Sequence, residues 1–177
     1  MSRPRIAILG IFVADLAFRA RRLPVMGETL LGQGFAMGPG GKGSNQSVAA
    51  ARAGGEVSFI AKLGRDSFGD IALKTWAADG IDTSQVLISD EVPTGAAFIF
   101  VSSETGDNAI IVEAGAAGTL TAEDVNLAEK AISGAKVFVT QLETAVAASR
   151  RGLELARKHG VTTVFNPAPA AKIDTAI

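Results

Sequence analysis

The sequence predicts an α/β fold in which helices flank a parallel β-sheet and a smaller β-sheet is inserted. First, short apolar segments alternate with helical patterns from residue 6 to residue 165, the order typical of parallel strands joined by helical crossovers. Second, residues 94–101 and 108–113 flank a polar loop that contains Gly106, which is typical of a β-hairpin. Because this hairpin interrupts the alternation, we expect its strands to belong to a separate sheet.

The main sheet and its helices are placed by apolar pattern and by helix caps. Buried strands are expected at residues 6–10, 57–64, 136–142 and 161–165. Helices are expected at residues 48–53, 66–80, 121–133 and 144–158. The smaller sheet takes its antiparallel strands from about 12–37 and 94–113.

Composition narrows the class of protein. With 177 residues, 47% of them hydrophobic and 20% charged, the chain is long enough for one domain with a core. Its net charge of −1 predicts neither a nucleic acid nor an anionic membrane as partner. The absence of cysteine excludes disulfides, thiolate metal sites and cysteine nucleophiles. We find no signal peptide and no membrane-spanning run, so the cytoplasm is the expected location.

Residues 38–47 are a glycine-rich turn that leads into an alanine-rich helix ending at Gly54. Glycines let a backbone approach a ligand closely, and free N–H groups at a helix N-terminus favour anionic or oxygen-rich groups. Lys42 and Asn45 add donors beside this opening. The order of residues fits neither a Walker A loop nor a dinucleotide-binding fingerprint. The turn therefore predicts a site for a polyhydroxylated or phosphorylated small molecule.

Two acidic residues come just after predicted strands of the parallel sheet. Asp15 lies just past the first strand, and Glu143 stands at the end of the strand at 136–142. Because ligands of parallel sheets collect at the carboxyl ends of the strands, we expect both acids to meet the glycine-rich turn. Together they could hold several hydroxyl groups through charge-assisted hydrogen bonds.

The glycine-rich region also fits a known pattern of small residues around one asparagine. The matching residues are Gly40, Gly41, Gly43, Asn45, Ser47, Gly54 and Gly64. On these residues the sequence resembles the PfkB (ribokinase-like) carbohydrate kinase family, and within it the ribokinase subgroup. Further similar stretches are Thr94-Gly95, residues 114–116, Gln141-Leu142-Glu143 and residues 166–169.

The resemblance implies both a fold and a function. Residues 1–177 would be the N-terminal part of one ribokinase-like α/β domain, with the small sheet as a lid over the sugar. The implied reaction is ATP-dependent phosphorylation of a small sugar, D-ribose to ribose 5-phosphate being favoured. The implied sugar contacts are Asp15, Gly41, Lys42, Gly43, Ser44, Asn45 and Glu143. The resemblance further implies ATP and Mg²⁺ as cofactors, activation by a monovalent cation, and a homodimer formed through the lid sheet.

The sequence departs from the family pattern in two ways. Ribokinases carry Asn two residues before the acid that matches Asp15, and this chain has Val13 there, which removes a polar contact or indicates a different sugar. The family's catalytic machinery consists of an Asn-x-x-Glu stretch associated with magnesium and a Gly-Ala-Gly-Asp motif whose Asp is the base. We expect neither within this chain, and hence no catalytic residue, metal site or nucleotide site.

Other functions stay open at this point. Val13 keeps a kinase of another sugar or of a nucleoside in consideration. The missing Gly-Ala-Gly-Asp motif supports a non-catalytic module that binds a sugar or dimerises. A dinucleotide-dependent oxidoreductase is weakly supported, because no Gly-x-Gly-x-x-Gly follows the first strand.

Overall fold

A computed structural model describes residues 3–172, within which nine strands and five α-helices form. The strands are β1 (Arg5–Leu9), β2 (Val13–Ala20), β3 (Gly34–Gly40), β4 (Glu56–Gly64), β5 (Val86–Ser89), β6 (Thr94–Ser102), β7 (Asn108–Gly115), β8 (Val137–Gln141) and β9 (Thr162–Asn166). The helices are α1 (Lys42–Arg52), α2 (Ser67–Ala78), α3 (Ala122–Leu127), α4 (Glu129–Ser133) and α5 (Val146–Lys158), and a 3-10 turn spans Ala116–Thr119.

The main sheet has five parallel strands in the order β5-β4-β1-β8-β9. Its central strand β1 is apolar because both faces are covered. On one face Leu9 packs in a cluster with Leu155, and on the other Ile8 packs in a cluster with Phe59 and Trp76. The predicted parallel α/β fold is thus confirmed.

The smaller sheet has four strands in the order β3-β2-β6-β7 and is called the lid sheet below. The outer pairs β2–β3 and β6–β7 are antiparallel, but the central pair β2–β6 is parallel. The expectation of a purely antiparallel sheet was therefore wrong. β2 follows the carboxyl end of β1, and β6 follows that of β5. Because β1 and β5 belong to the same parallel sheet, β2 and β6 leave it in the same direction.

Several predicted boundaries also shift. Residues 29–33 are not a strand, whereas β3 includes Pro39 and Gly40, which the sequence had indicated as part of a turn. An edge strand tolerates proline, because an unpaired position needs no N–H donor, and β3 pairs only with β2. The short edge strand β5 was not predicted. The predicted helix at 121–133 begins with a capping box of Thr121 and Asp124, but it is broken at Ala128 into α3 and α4.

A set of hydrogen bonds joins the lid sheet to the core. Asp66 is the N-cap of α2, where its carboxylate accepts from the backbone N–H of Gly69 at 2.9 Å and from that of Thr94 at 2.7 Å. The Thr94 hydroxyl in turn accepts from the Gly64 N–H at 2.9 Å. One aspartate thus fixes the end of β4, the start of α2 and the start of β6.

The lid sheet exposes large apolar side chains. Phe18 is 42% exposed, Phe35 60% and Phe98 37%. The Phe18 ring lies 4.9 Å from the Phe35 ring and 5.7 Å from the Phe98 ring, measured between centroids. On the opposite face Ile110 is 51% exposed.

Candidate functional site

The glycine-rich turn is shorter than predicted, because α1 already begins at Lys42. Gly41 is the N-cap, with a φ of 89° that side chains of L-residues rarely adopt. A Cβ at Gly41 would also lie only 2.4 Å from the Ile11 carbonyl oxygen. Lys42, Gly43, Ser44 and Asn45 consequently form the first turn of the helix rather than a loop before it.

Glu143 closes the N-terminus of this helix. One carboxylate oxygen accepts from the Lys42 backbone N–H at 2.6 Å, and the other accepts from the Lys42 ammonium group at 2.7 Å. A carboxylate is favoured there because the helix dipole and the free N–H groups both attract negative charge. Glu143 and Lys42 are 101 residues apart in the chain. Their contact is therefore made by the sheet, which brings the end of β8 beside the start of α1.

Asp15 reaches the same region from the lid sheet. A Cβ at Gly40 would lie 2.1 Å from an Asp15 carboxylate oxygen, so the carboxylate lies against the bare backbone of that glycine. Burial, and second the negative charge of Glu143, raise the pKa of Asp15. Asp15, Lys42 and Glu143 thus come together as the sequence predicts, although their binding of a sugar stays a prediction.

The other predicted contact residues differ in their access to a ligand. Ser44 is buried, and its hydroxyl accepts a hydrogen bond from the Trp76 ring N–H at 3.0 Å. Gly43 is also buried, with its backbone against Gly10. Asn45 is exposed and lines a cavity of about 430 Å³ together with Val48 and Arg52. The Ser44 hydroxyl thus joins α1 to α2 through Trp76. The lining of the cavity beside Asn45 includes Ser44 but not Asp15, Lys42 or Glu143, so the structure does not bring Asn45 into one cavity with those three residues.

Sequence reasoning missed a buried glutamine beneath the site. Gln141 is 1% exposed and donates through its amide nitrogen to the side-chain oxygen of Gln46 in α1. Its own amide oxygen has no hydrogen-bond partner among the described residues. The Gln-Leu-Glu stretch contained the signal, but only Glu143 was assigned a role. The hydrogen bond from Trp76 to Ser44 was not predicted either.

The expectation that the chain contains no Asn-x-x-Glu stretch was wrong, because residues 126–129 have this sequence, with Asn126 and Glu129 at its ends. In the structure these side chains lie on the surface near α5. Glu129 accepts from Lys158 and contacts His159, each at 2.8 Å, and these hydrogen bonds lower the pKa of Glu129 to about 2. Asn126 accepts from Arg151 at 2.7 Å. The stretch therefore ties α3 and α4 to α5.

Among residues 3–172, no group of three or more His, Asp or Glu side chains is placed to hold a metal ion. Across the same residues, no helix combines the length and the hydropathy that a bilayer-spanning segment needs.

Known proteins are similar to this chain. The profile described as pfkB family carbohydrate kinase matches residues 3–177. Mouse ribokinase is 42% identical over 165 residues, which are 93% of this chain and 51% of that protein. The deoxyribokinase of Salmonella typhi is 35% identical over 170 residues, which are 94% of this chain and 54% of that protein. The crystal structure of ribokinase from Cryptococcus neoformans var. grubii serotype A in complex with ADP has a TM-score of 0.81 at 28% identity, covering 96% of this chain and 51% of that one. The chain thus spans about half the length of the curated relatives that it matches.

Proposed function

Because the chain belongs to the pfkB family of carbohydrate kinases, we propose that it forms the sugar-binding part of an ATP-dependent sugar kinase. Residues 1–177 would then be the N-terminal part of one ribokinase-like domain. D-ribose is the favoured substrate and ribose 5-phosphate the product. One observation carries the proposal: Asp15, Lys42 and Glu143, from three separate parts of the chain, meet at the N-terminus of α1.

The chemistry of these groups suits a polyhydroxylated ligand. Each carboxylate has about four acceptor positions, and Glu143 uses one on each oxygen for Lys42, which leaves room for sugar hydroxyls. Asp15 accepts further hydroxyls, and the amide of Asn45 both donates and accepts. Hydrogen bonds from hydroxyl groups to carboxylates are charge-assisted and hence stronger than those between neutral groups. In this proposal these residues hold and orient the sugar.

ATP, Mg²⁺ and activation by a monovalent cation belong to the proposal for the complete protein. Phosphoryl transfer needs a positioned nucleophile and neutralised phosphate charge. The 177 residues contain no Gly-Ala-Gly-Asp motif, so we propose that the base and the nucleotide site are supplied by other residues. The ADP in the similar Cryptococcus ribokinase structure supports a nucleotide ligand.

Two further parts of the proposal concern the protein as a whole. We infer a homodimer formed through the lid sheet, since that sheet exposes Phe35 on one face and Ile110 on the other. On the face that carries Phe35, the contiguous exposed rings of Phe18, Phe35 and Phe98 are typical of an interface. Location in the cytoplasm stays a prediction.

A specific observation favours a second substrate class. Val13 is 4% exposed and packs in an apolar cluster with Ile11, Ala97 and Ala117, so it offers no polar group at the position where ribokinases have Asn. A sugar with one polar contact fewer would suit this surface. The similar Salmonella typhi protein is a deoxyribokinase, which supports including deoxyribose beside other sugars and nucleosides in any test.

ADP release and sugar binding together test the proposal. The purified 177-residue chain is mixed with ATP, magnesium and each of ribose, deoxyribose, other sugars and nucleosides, and binding is followed separately by calorimetry. We expect binding of one sugar without ADP release. Turnover by these residues alone would contradict our assignment of the base and the nucleotide site to other residues. Binding without turnover by the complete gene product would instead favour a non-catalytic module.

A further inference from the structure

Gln141, the last residue of β8, lies under the first turn of α1, two residues before Glu143. Its side chain is almost wholly buried, and a Cβ at Gly10 would lie 2.7 Å from its amide oxygen. A Cβ at Gly43 would lie 3.1 Å from the same atom. Bare glycine backbone on two sides therefore makes the space that this amide occupies.

Burying an amide group in such a space is energetically unfavourable. Its oxygen has no hydrogen-bond partner among the described residues, and burying an unpaired polar atom destabilises a fold. An unbranched apolar side chain of the same length would fill the space without that loss. The amide nitrogen, however, gives a directional bond to Gln46, 95 residues away in α1. The amide of Gln141 therefore lowers the stability of the fold, but it holds α1 in a fixed position relative to β8.

The backbone around Gln141 is fixed from the other side by three buried hydroxyls. Ser149 donates to the Gln141 carbonyl oxygen at 3.0 Å. The hydroxyls of Thr140 and Thr144 lie 3.0 Å and 2.7 Å from that of Ser149. Since Ser149 has one proton and gives it to the carbonyl, both threonines donate to Ser149. Glu143 consequently lies between two anchored neighbours, Gln141 and Thr144.

We propose that Gln141 is a positioning residue for sugar binding: through Gln46 it sets the first turn of α1 against the end of β8, so that Lys42 and Glu143 meet in the binding geometry. It does not touch the sugar. This inference rests on the proposed function, because it assigns Gln141 to that same site.

The test compares two substitutions in the same buried strand. Gln141→Met keeps the length of the side chain and removes the amide, whereas Thr140→Val removes one hydroxyl on the other side of β8. We expect Gln141→Met to unfold in urea at the same or a higher concentration than the unchanged chain, yet to bind ribose about tenfold more weakly. Thr140→Val should lose stability and keep its affinity, because Ser149 can still donate to the Gln141 carbonyl and accept from Thr144 without the Thr140 hydroxyl. A merely structural role for Gln141 predicts instead that Gln141→Met unfolds at a lower urea concentration and binds ribose with unchanged affinity.

Gln46→Met supplies a second, independent variant. It should also weaken ribose binding, and the double variant Gln46→Met/Gln141→Met should bind no more weakly than Gln141→Met alone, because both changes break one contact. Additive losses, or ribose affinity in Gln141→Met equal to that of the unchanged chain, would overturn the inference.

Amide hydrogen exchange reads the same positioning without any sugar. The Lys42 N–H is bonded to Glu143 and the Ser44 N–H to the Ile11 carbonyl at 3.2 Å. We expect Gln141→Met to speed exchange at both, and Thr140→Val to leave them unchanged. Faster exchange in a chain that binds no sugar would uphold the positioning role and refute the proposed function. Unchanged exchange in a chain that binds ribose would refute the positioning role and uphold the proposed function.

Discussion

The two sides of the candidate site are built in different ways. On the core side, the backbones of Gly10 and Gly43 are in contact above the buried Gln141, and Glu143 is hydrogen-bonded to the helix N-terminus. On the lid side, Asp15 is carried by a sheet that exposes apolar residues on both faces. On the core side, Gly10 and Gly43 leave no space for an added side chain, whereas the lid strand β3 is closely packed at Gly40 against Asp15 but open at Gly38. In the proposed site, the core side therefore holds Lys42 and Glu143 together, and the lid side adds Asp15.

The same substitution on the two sides should break this comparison most clearly. A Cβ at Gly10 would lie 2.6 Å from the Gly43 Cα, so Gly10→Ala should lower the free energy of unfolding by about 3 kcal/mol. Gly38 in β3 has no atom within 4 Å of the added Cβ, and Gly38→Ala should change it by less than about 0.5 kcal/mol. Urea unfolding measures both. Equal losses would show that the lid is packed as tightly as the core.

The link between the two sides should be the next most sensitive place. Asp66→Ala leaves the N–H groups of Gly69 and Thr94 without their acceptor and should cost about 2 kcal/mol. The control Asp70→Ala, in the same first turn, should lose less than about 1 kcal/mol, since its helix-dipole contribution is small. Thermal or urea unfolding distinguishes the two variants.

The effect of Asp66 should also depend on pH. Burial raises its pKa, but hydrogen bonds from Gly69 and Thr94 outweigh burial, so the net pKa is lowered. A lowered pKa means that the carboxylate stabilises the fold above its unfolded pKa and that this contribution is lost as the pH falls through the folded pKa. The difference between the unchanged chain and Asp66→Ala should therefore shrink in acid. A difference that grows in acid would contradict this account.

The Asp15 carboxylate should affect the stability with the opposite pH dependence, and by a smaller amount. Burial and the nearby Glu143 raise its pKa, so the folded state holds the proton more strongly than the unfolded state. Its charge therefore destabilises the fold as the pH rises through the raised pKa. We expect Asp15→Asn to increase the stability slightly at neutral pH and to lose this advantage in acid. A less stable Asp15→Asn chain at neutral pH would disprove the assignment.

The lid surface should matter least for unfolding. Phe35→Lys and Ile110→Lys each place a charge on an exposed position, and on opposite faces of the sheet, so each should change the unfolding free energy by less than about 0.5 kcal/mol. Sedimentation should show that one of them converts the proposed dimer to monomer and thereby identifies the face used. If both variants dimerise as the unchanged chain does, the lid-sheet dimer is wrong.

The sequence allowed the meeting of Asp15 and Glu143 to be predicted, because the carboxyl ends of parallel strands share an edge. It did not reveal Gln141, since a lone glutamine has no periodic signal and its partner is 95 residues away. The bounds of β3 were missed because glycine and proline usually mark turns, and here an edge strand tolerates them. The start of α1 at Lys42 depends on the backbone angle of Gly41, which composition does not give.

The most direct test of the central claim is a calorimetric titration of ribose into the 177-residue chain and into Asp15→Asn, with Asp70→Asn as control. We predict that the unchanged chain and the control bind ribose alike, and that Asp15→Asn binds at least about tenfold more weakly, because it loses a charge-assisted acceptor. Equal affinity in all three chains would remove Asp15 from the site and contradict the account of a sugar held between the core and the lid.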